Sequence, residues 1–419
     1  MRSPSSASIG IGNPAHKPRS TALLRRLSTF LLALTMWSSA VAPTAVAASR
    51  PSDAVDGVRI SELGPIGEAT PDVDMRAGVL MDGEGRVLWS RQPDARRAMA
   101  SLTKIMTAVI ALESSSLTET VDVTAAALRV GESTSFLRGG DRLTMEDMLE
   151  ALLVKSGNDA AQAVAIHVAG SSDAFVDRMN VKASSLGLSD THFTNAHGLD
   201  APGHKTSARD LAVLSRYAMS KPAFRSIVGM KQVTIGKGKR KETLPNTNVL
   251  INNYQGVTGI KTGYTSNAGY SVVGSAERND ISLYAVVLGT KTESSRFRDA
   301  RELLDWGFAH YRPQSLATSG SILAEAPVSD YLDVTVPAIV AADATVPVLD
   351  LNGPITRSVT VAPVKAPVVA GQSVGVATFT QAGRQIASIP LVAKNDVRKP
   401  NPLHRIWIGI VRVWRAVFN

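Results

Sequence analysis

Ser101-Leu102-Thr103-Lys104, Ser156-Gly157-Asn158 and Lys261-Thr262-Gly263 follow one another along the 419-residue chain. Around the first, Leu102, Ile105, Met106, Val109 and Leu112 recur at helical spacing, which predicts a largely buried helix starting near Ser101. Residues three apart share a helix face, so Ser101 and Lys104 point the same way. They do so at an end where free backbone N–H groups favour negative charge. A serine hydroxyl is a weak nucleophile until a base takes its proton. Lys104 can be that base only when uncharged, a state favoured by burial and by a second cation, for which Lys261 is the candidate. Ser156 can relay a proton to a leaving amine, and the Asn158 amide can fix a substrate amide. Lys261-Thr262-Gly263 ends a strand pattern. Lys261 and Thr262 suit a substrate carboxylate, Gly263 lets a ligand backbone lie close, and an extended peptide can add beside the strand. Alone, each run is an ordinary helix cap, helix stop or strand end. Together and in this order they are the parts of acyl transfer through a covalent serine ester.

The surrounding chain alternates sheet and helix signals. Residues 77–90 read as a hairpin turning at Asp82-Gly83-Glu84-Gly85. Thr144 and Asp147 form a capping-box pair ahead of an apolar run to Val154. Helices are expected over 159–168, over 175–186 with Gly187 as the stop, and over 294–311. Strands are expected over 257–262, 271–276 and 281–288. Strands at both ends of a helical middle define an α+β unit. Pro313, Ser315, Thr318, Ser319 and Gly320 make residues 313–320 a linker. Residues 321–393, rich in Val, Ala, Pro and Gly, read as a small all-β domain.

Composition narrows the functional classes. A basic head, the apolar stretch Leu27–Trp37 and Ala45-Val46-Ala47 make residues 1–47 an export signal. No run of apolar residues is long enough to span a bilayer. Five basic residues lie in 1–47 and five in 398–419, with no acidic ones in either, so the body, 48–397, carries −1 of the chain's +9. That near-neutral body argues against nucleic acid as a partner. The absence of cysteine excludes a thiol nucleophile, a disulfide framework and a lipid-modified cysteine anchor.

Longer stretches carry a family resemblance. Ala100-Ser101-Leu102-Thr103-Lys104-Ile105-Met106-Thr107, His197-Gly198-Leu199-Asp200-Ala201-Pro202-Gly203 with Asp210-Leu211-Ala212, and Gly259-Ile260-Lys261-Thr262-Gly263-Tyr264-Thr265 resemble the D-alanyl-D-alanine carboxypeptidases, low-molecular-weight penicillin-binding proteins of the serine SxxK type. The resemblance covers roughly residues 70–310, and the all-β segment resembles the domain that follows in many members. It implies the penicillin-binding-protein/β-lactamase-like transpeptidase fold: an antiparallel sheet flanked by helices, with a helical lobe. Ser101 would attack the carbonyl between two D-alanines of a peptidoglycan stem peptide, with Lys104 as base. The N–H groups of Ser101 and Tyr264 would form the oxyanion hole. Ser156, hydrogen-bonded toward Lys261, would protonate the departing D-alanine. Asn158 would orient the substrate, and Lys261 and Thr262 would bind its carboxylate. β-Lactam antibiotics would acylate Ser101, and neither a metal nor an organic cofactor is implied. Some members carry an arginine shortly before the lysine strand; this chain has Asn246-Thr247-Asn248 there.

Rival readings fare worse. A class A β-lactamase needs a glutamate four residues before the asparagine represented here by Asn195, and that position is Thr191. Gly371-Gln372-Ser373-Val374-Gly375 matches the elbow of Ser-His-Asp hydrolases, but a strand pattern rather than a helix follows it. The seven histidines show no metal-ligand spacing, and His197 and His204 read as loop or supporting residues. A cell-wall binding protein without turnover would not need Ser101 and Lys104 intact. At the C-terminus Trp407, Val411, Trp414 and Phe418 line one helical side. Arg405, Arg412 and Arg415 cluster on another, where Ile408 intrudes. This basic amphipathic helix suits an anionic membrane surface. The expected organisation is a signal peptide (1–47), a catalytic domain (48–312), a linker (313–320), an all-β domain (321–395) and an anchor helix (396–419). The enzyme is expected at the outer face of the cytoplasmic membrane, peripherally bound.

Overall fold

The computed structural model describes residues 50, 52–62, 70–236 and 240–418. The expected signal segment lies outside the described residues. Seven strands form the central sheet: β1 (Ala54–Val55), β2 (Val58–Arg59), β3 (Ala77–Asp82), β4 (Val87–Arg91), β5 (Val257–Thr265), β6 (Gly269–Arg278) and β7 (Ile281–Thr290). Their order is β2-β1-β4-β3-β7-β6-β5, so sequence-distant ends meet where β3 pairs antiparallel with β7, and β5 is an edge. Both faces of the sheet are covered. Ala77, Val79 and Met81 face the helical lobe with Val286 and Leu288. Leu80, Ala285 and Val287 face the opposite core. That two-sided burial, with the side-chain period of two, explains why these strands read as continuous apolar runs. The helix of the second face, Glu293–His310, buries Phe297, Ala300, Leu303 and Leu304 there.

In the lobe, α1 (Lys104–Ser114) follows a short 3-10 turn over Ala100–Thr103, and eight of its residues, Lys104 to Ala111, are buried. Thr144 and Asp147 make the expected reciprocal capping box. The helix they start passes into a π turn over Ala151–Lys155 and stops at Ser156, whose φ of 72° is left-handed. Gly157 re-enters extended backbone, and α2 (Asn158–Ala169) begins.

Residues 313–320 do not behave as the expected linker. Tyr311–Ala317 is a strand paired with Ala344–Leu349. Tyr311 is buried and its hydroxyl donates to Asp82 Oδ2, and the segment finds a partner strand despite its turn-like composition. A five-stranded sheet built from Ile322–Pro327, Thr335–Val340, Ile355–Val361, Ser373–Gln381 and Arg384–Ala393 completes this region. It is tied to the seven-stranded sheet at Asp56, whose carboxylate accepts from Arg86, Arg384 and Asn352.

The C-terminal helix α3 (Pro402–Phe418) docks by its polar side. Ile408 is buried, Arg412 donates to the Ser329 and Tyr331 carbonyls, and the His404 ring meets Tyr331 edge-on. The intruding Ile408 is thus the residue that seats the helix. Leu403, Ile406, Trp407, Ile410, Val413, Trp414, Val417 and Phe418 stay exposed. Among the described residues no helix is long and apolar enough to cross a membrane.

Candidate active site

Ser101 sits in the 3-10 turn that leads into α1, pressed between two glycines. A Cβ on Gly263 would stand 3.2 Å from the Ala100 Cβ, the Met99 carbonyl and the Ser101 nitrogen. Gly263 therefore makes room for the nucleophile's own turn. It does not end its strand, since β5 continues to Thr265. On the other side a Cβ on Gly198 would come within 2.0 Å of the Ala100 oxygen, and Gly198 has a φ of +97°, so only glycine fits. Ala100 itself is left-handed at φ 49°. Its carbonyl accepts from Thr103 Oγ1, which in turn meets His204 Nε2 at 2.8 Å. His204 Nδ1 accepts from the Thr194 N–H, so Nε2 carries the ring proton and donates to Thr103. Burial holds the His204 pKa down to about 4, in keeping with a neutral ring.

Lys104 is fully buried and reaches three oxygens: Ser101 Oγ at 2.9 Å, Asn158 Oδ1 at 2.7 Å and the His197 carbonyl at 2.6 Å. Two of these can only accept. Asn158 is oriented by its Nδ2, which donates to the Gly131 carbonyl at 2.9 Å. A neutral amine has two N–H bonds for the two carbonyls and one lone pair left for the serine hydroxyl. Burial favours that state, pushing the Lys104 pKa down to about 7 against the pull of Asp159 and Glu132. Burial and the nearby Lys104 also push Lys261 well down. Both ends of the Asn158 amide are thus engaged within the protein, and its visible role is to hold Lys104.

Two supporting groups escape a reading of the sequence. Asn195 Oδ1 accepts from the Gly198 and His197 N–H groups, and its Nδ2 donates to the Leu199 carbonyl, which fixes the loop offering the His197 carbonyl to Lys104. Buried Asp159 accepts from the Ser135 and Leu137 N–H groups, clasping the 131–137 segment over the start of α2. The residues themselves are plain in the sequence, but nothing in their order tells which carbonyl a loop will present.

Lys261 is buried in β5 and donates to the Thr262 carbonyl at 3.1 Å. Thr262 Oγ1 donates to Thr247 Oγ1, and the Thr247 N–H donates to the Val154 carbonyl. Thr247, from the Asn246-Thr247-Asn248 stretch, therefore links the lysine strand to the turn before Ser156. The expected hydrogen bond between Ser156 and Lys261 is not made: among the described residues Ser156 Oγ has no hydrogen-bond partner, and the Lys261 amine turns to its own strand. Tyr264 is 53% exposed, with its ring on Tyr270 at 4.3 Å.

The Ser101 hydroxyl, the Lys104 amine 2.9 Å from it and the β5 strand whose Gly263 packs on the Ser101 turn are the equipment of a serine-dependent enzyme. Comparison with known proteins places the chain among such enzymes. The family described as D-alanyl-D-alanine carboxypeptidase matches residues 65–292, and the C-terminal domain of penicillin-binding protein 5 matches residues 311–399. The D-alanyl-D-alanine carboxypeptidase DacC of Escherichia coli is 35% identical over 83% of this chain and 90% of its own. DacF of Bacillus subtilis is 31% identical over 90% and 95%. Penicillin-binding protein 6B of Escherichia coli superposes with a TM-score of 0.61 at 32% identity, over 77% of this chain and 96% of that one. The chain belongs to the serine-type D-alanyl-D-alanine carboxypeptidase family.

Proposed function

We propose that this enzyme removes the terminal D-alanine from peptidoglycan stem peptides through an acyl-enzyme on Ser101. The substrate lies beside the free edge of β5, its carboxylate at Lys261 and Thr262. An arriving carboxylate restores the proton that burial disfavours on Lys261. Lys104, uncharged, takes the Ser101 proton as Oγ attacks the penultimate carbonyl. The Ser101 and Tyr264 N–H groups receive the developing oxyanion. Ser156 hands a proton to the leaving D-alanine, and water then releases the shortened peptide. The observation that carries this reading is the Lys104 amine, 2.9 Å from Ser101 Oγ with its other contacts both carbonyls. The same attack on a β-lactam leaves a slow-clearing acyl group on Ser101. The test is D-alanine release from a D-Ala-D-Ala-terminated peptide by the wild type and by Ser101→Ala. The reading stands if only the wild type releases it, and falls if the variant does so equally.

The protein works on the outer side of the cytoplasmic membrane, held by α3. Support comes from the exposed apolar arc Trp407-Ile410-Trp414-Val417, on the side of α3 opposite the one seated by Ile408 and Arg412. Such an arc buries its apolar side in a membrane interface. The proposed organisation is a signal (1–47), catalytic domain (48–312), β-domain and anchor helix, with 313–317 counted as sheet.

A further inference from the structure

We propose that His204 is a positioning residue for acylation: acting through Thr103, it fixes and polarises the Ala100–Ser101 peptide so that the Ser101 N–H meets the developing oxyanion. This rests on the acyl-enzyme reading above. A chain of hydrogen bonds runs from the ring to that peptide. His204 Nε2 donates to Thr103 Oγ1 at 2.8 Å, and Thr103 Oγ1 donates to the Ala100 carbonyl at 2.8 Å. The direction is set at the far end, where Nδ1 accepts from the Thr194 N–H at 3.0 Å and leaves the ring proton on Nε2. Both links lie inside the protein, Thr103 at 0% and His204 at 3% exposure. Away from water, each bond in such a chain strengthens the next.

The peptide at the end of the chain needs holding. Ala100 has a φ of 49°, which a residue with a side chain seldom adopts. The Ala100–Ser101 bond is trans, so its oxygen and its N–H point in opposite directions. With the oxygen tied to Thr103, the N–H is turned the other way, and a rotation of the peptide plane would lose both the bond and the oxyanion donor. A hydrogen bond accepted by the carbonyl also draws electron density from the amide nitrogen and makes the Ser101 N–H a stronger donor. The ring is itself placed from two sides. Phe193 meets it edge-on at 6.1 Å. Two residues on, Thr206 exchanges N–H···O bonds of 2.8 and 2.9 Å with Arg97, just ahead of the nucleophile turn. Lys104 has no part in this relay, since its amine contacts Ser101, Asn158 and His197.

The test separates the two ends of the ring. In His204→Gln an amide nitrogen stands where Nε2 was and keeps the bond to Thr103. In His204→Asn an amide oxygen stands where Nδ1 was and keeps only the bond from Thr194. Stopped-flow acylation by a fluorescent penicillin gives the limiting rate constant and the half-saturating concentration separately. His204→Gln should stay within about threefold of the wild-type limiting rate, whereas His204→Asn and Thr103→Val should each fall about ten- to thirtyfold. Half-saturation should not move, nor should the pH midpoint near 7 that belongs to Lys104. Adding His204→Asn to Thr103→Val should slow acylation no further. Thr103→Ser keeps the hydroxyl and should remain near the wild type, which reads the relay even if a His204 variant does not fold. A His204→Asn faster than His204→Gln would assign the ring to the Thr194 loop and overturn the proposal, as would additive losses in the double variant or a displaced midpoint. Unchanged rates in every variant refute the relay alone, whereas a wild type that takes up no penicillin on Ser101 refutes the acyl-enzyme reading and the relay with it.

Discussion

Acylation of Ser101 should follow the titration of Lys104. The amine is fully buried, and its pKa falls from 10.5 to about 7 mainly through desolvation. That difference corresponds to roughly 5 kcal/mol of disfavoured charge at 1.36 kcal/mol per pH unit. An ordinary lysine at pH 7 is uncharged roughly three times in ten thousand, whereas Lys104 is uncharged about half the time. Burial therefore raises the competent fraction about a thousandfold. The sign follows directly: the neutral amine is the active form, so rate is lost as pH falls through about 7. A fluorescent penicillin, quenched on the second timescale between pH 5 and 9, reads the acylation rate constant without the deacylation step. It should rise about tenfold per pH unit below 7 and level off above it. Lys104→Arg keeps a cation that cannot deprotonate and should abolish the acylation limb while the chain still folds. A flat profile from pH 5 to 8, or a Lys104→Arg variant acylated at the wild-type rate, would refute the reasoning.

Three further outcomes follow from the same contacts. Asn158→Ala removes one acceptor from Lys104 and leaves the Gly131 carbonyl bare, a loss of about 1–3 kcal/mol; penicillin acylation should drop about ten- to a hundredfold with the circular dichroism spectrum unchanged. Gly198→Ala places a Cβ 2.0 Å from the Ala100 oxygen at a φ of +97°, so urea unfolding should show a loss of roughly 2–4 kcal/mol, and a change under about 0.5 kcal/mol would contradict the packing. Truncation after Val397 should free the protein from anionic vesicles, whereas Ile408→Asp, which spares the exposed arc, should keep vesicle binding yet speed tryptic cleavage after Arg398.

Much of the local structure is legible before any fold is drawn. The capping box at Thr144 and Asp147, the hairpin turn before Arg86 and the apolar helix after Ser101 are short-range events, set by neighbouring residues. The strand over 311–317 is not, because Pro313 and Ser315 carry a turn-like composition, and only the partner at Ala344–Leu349 makes them sheet. Ile408 reads as an error in the polar side of α3 until the β-domain supplies the surface it fills.

By itself the sequence determined which chemical groups are present and in what order: a serine and a lysine on one helical face, an asparagine at the head of another helix, a lysine and a threonine in a strand. Tertiary structure decided their state. Desolvation of Lys104, the His197 and Asn158 oxygens that claim its two protons, and the Gly263 and Gly198 clearances around Ser101 all come from segments some fifty to a hundred and sixty residues away. Protonation depends on what surrounds a group in space, and chain order does not encode that until the sheet has closed.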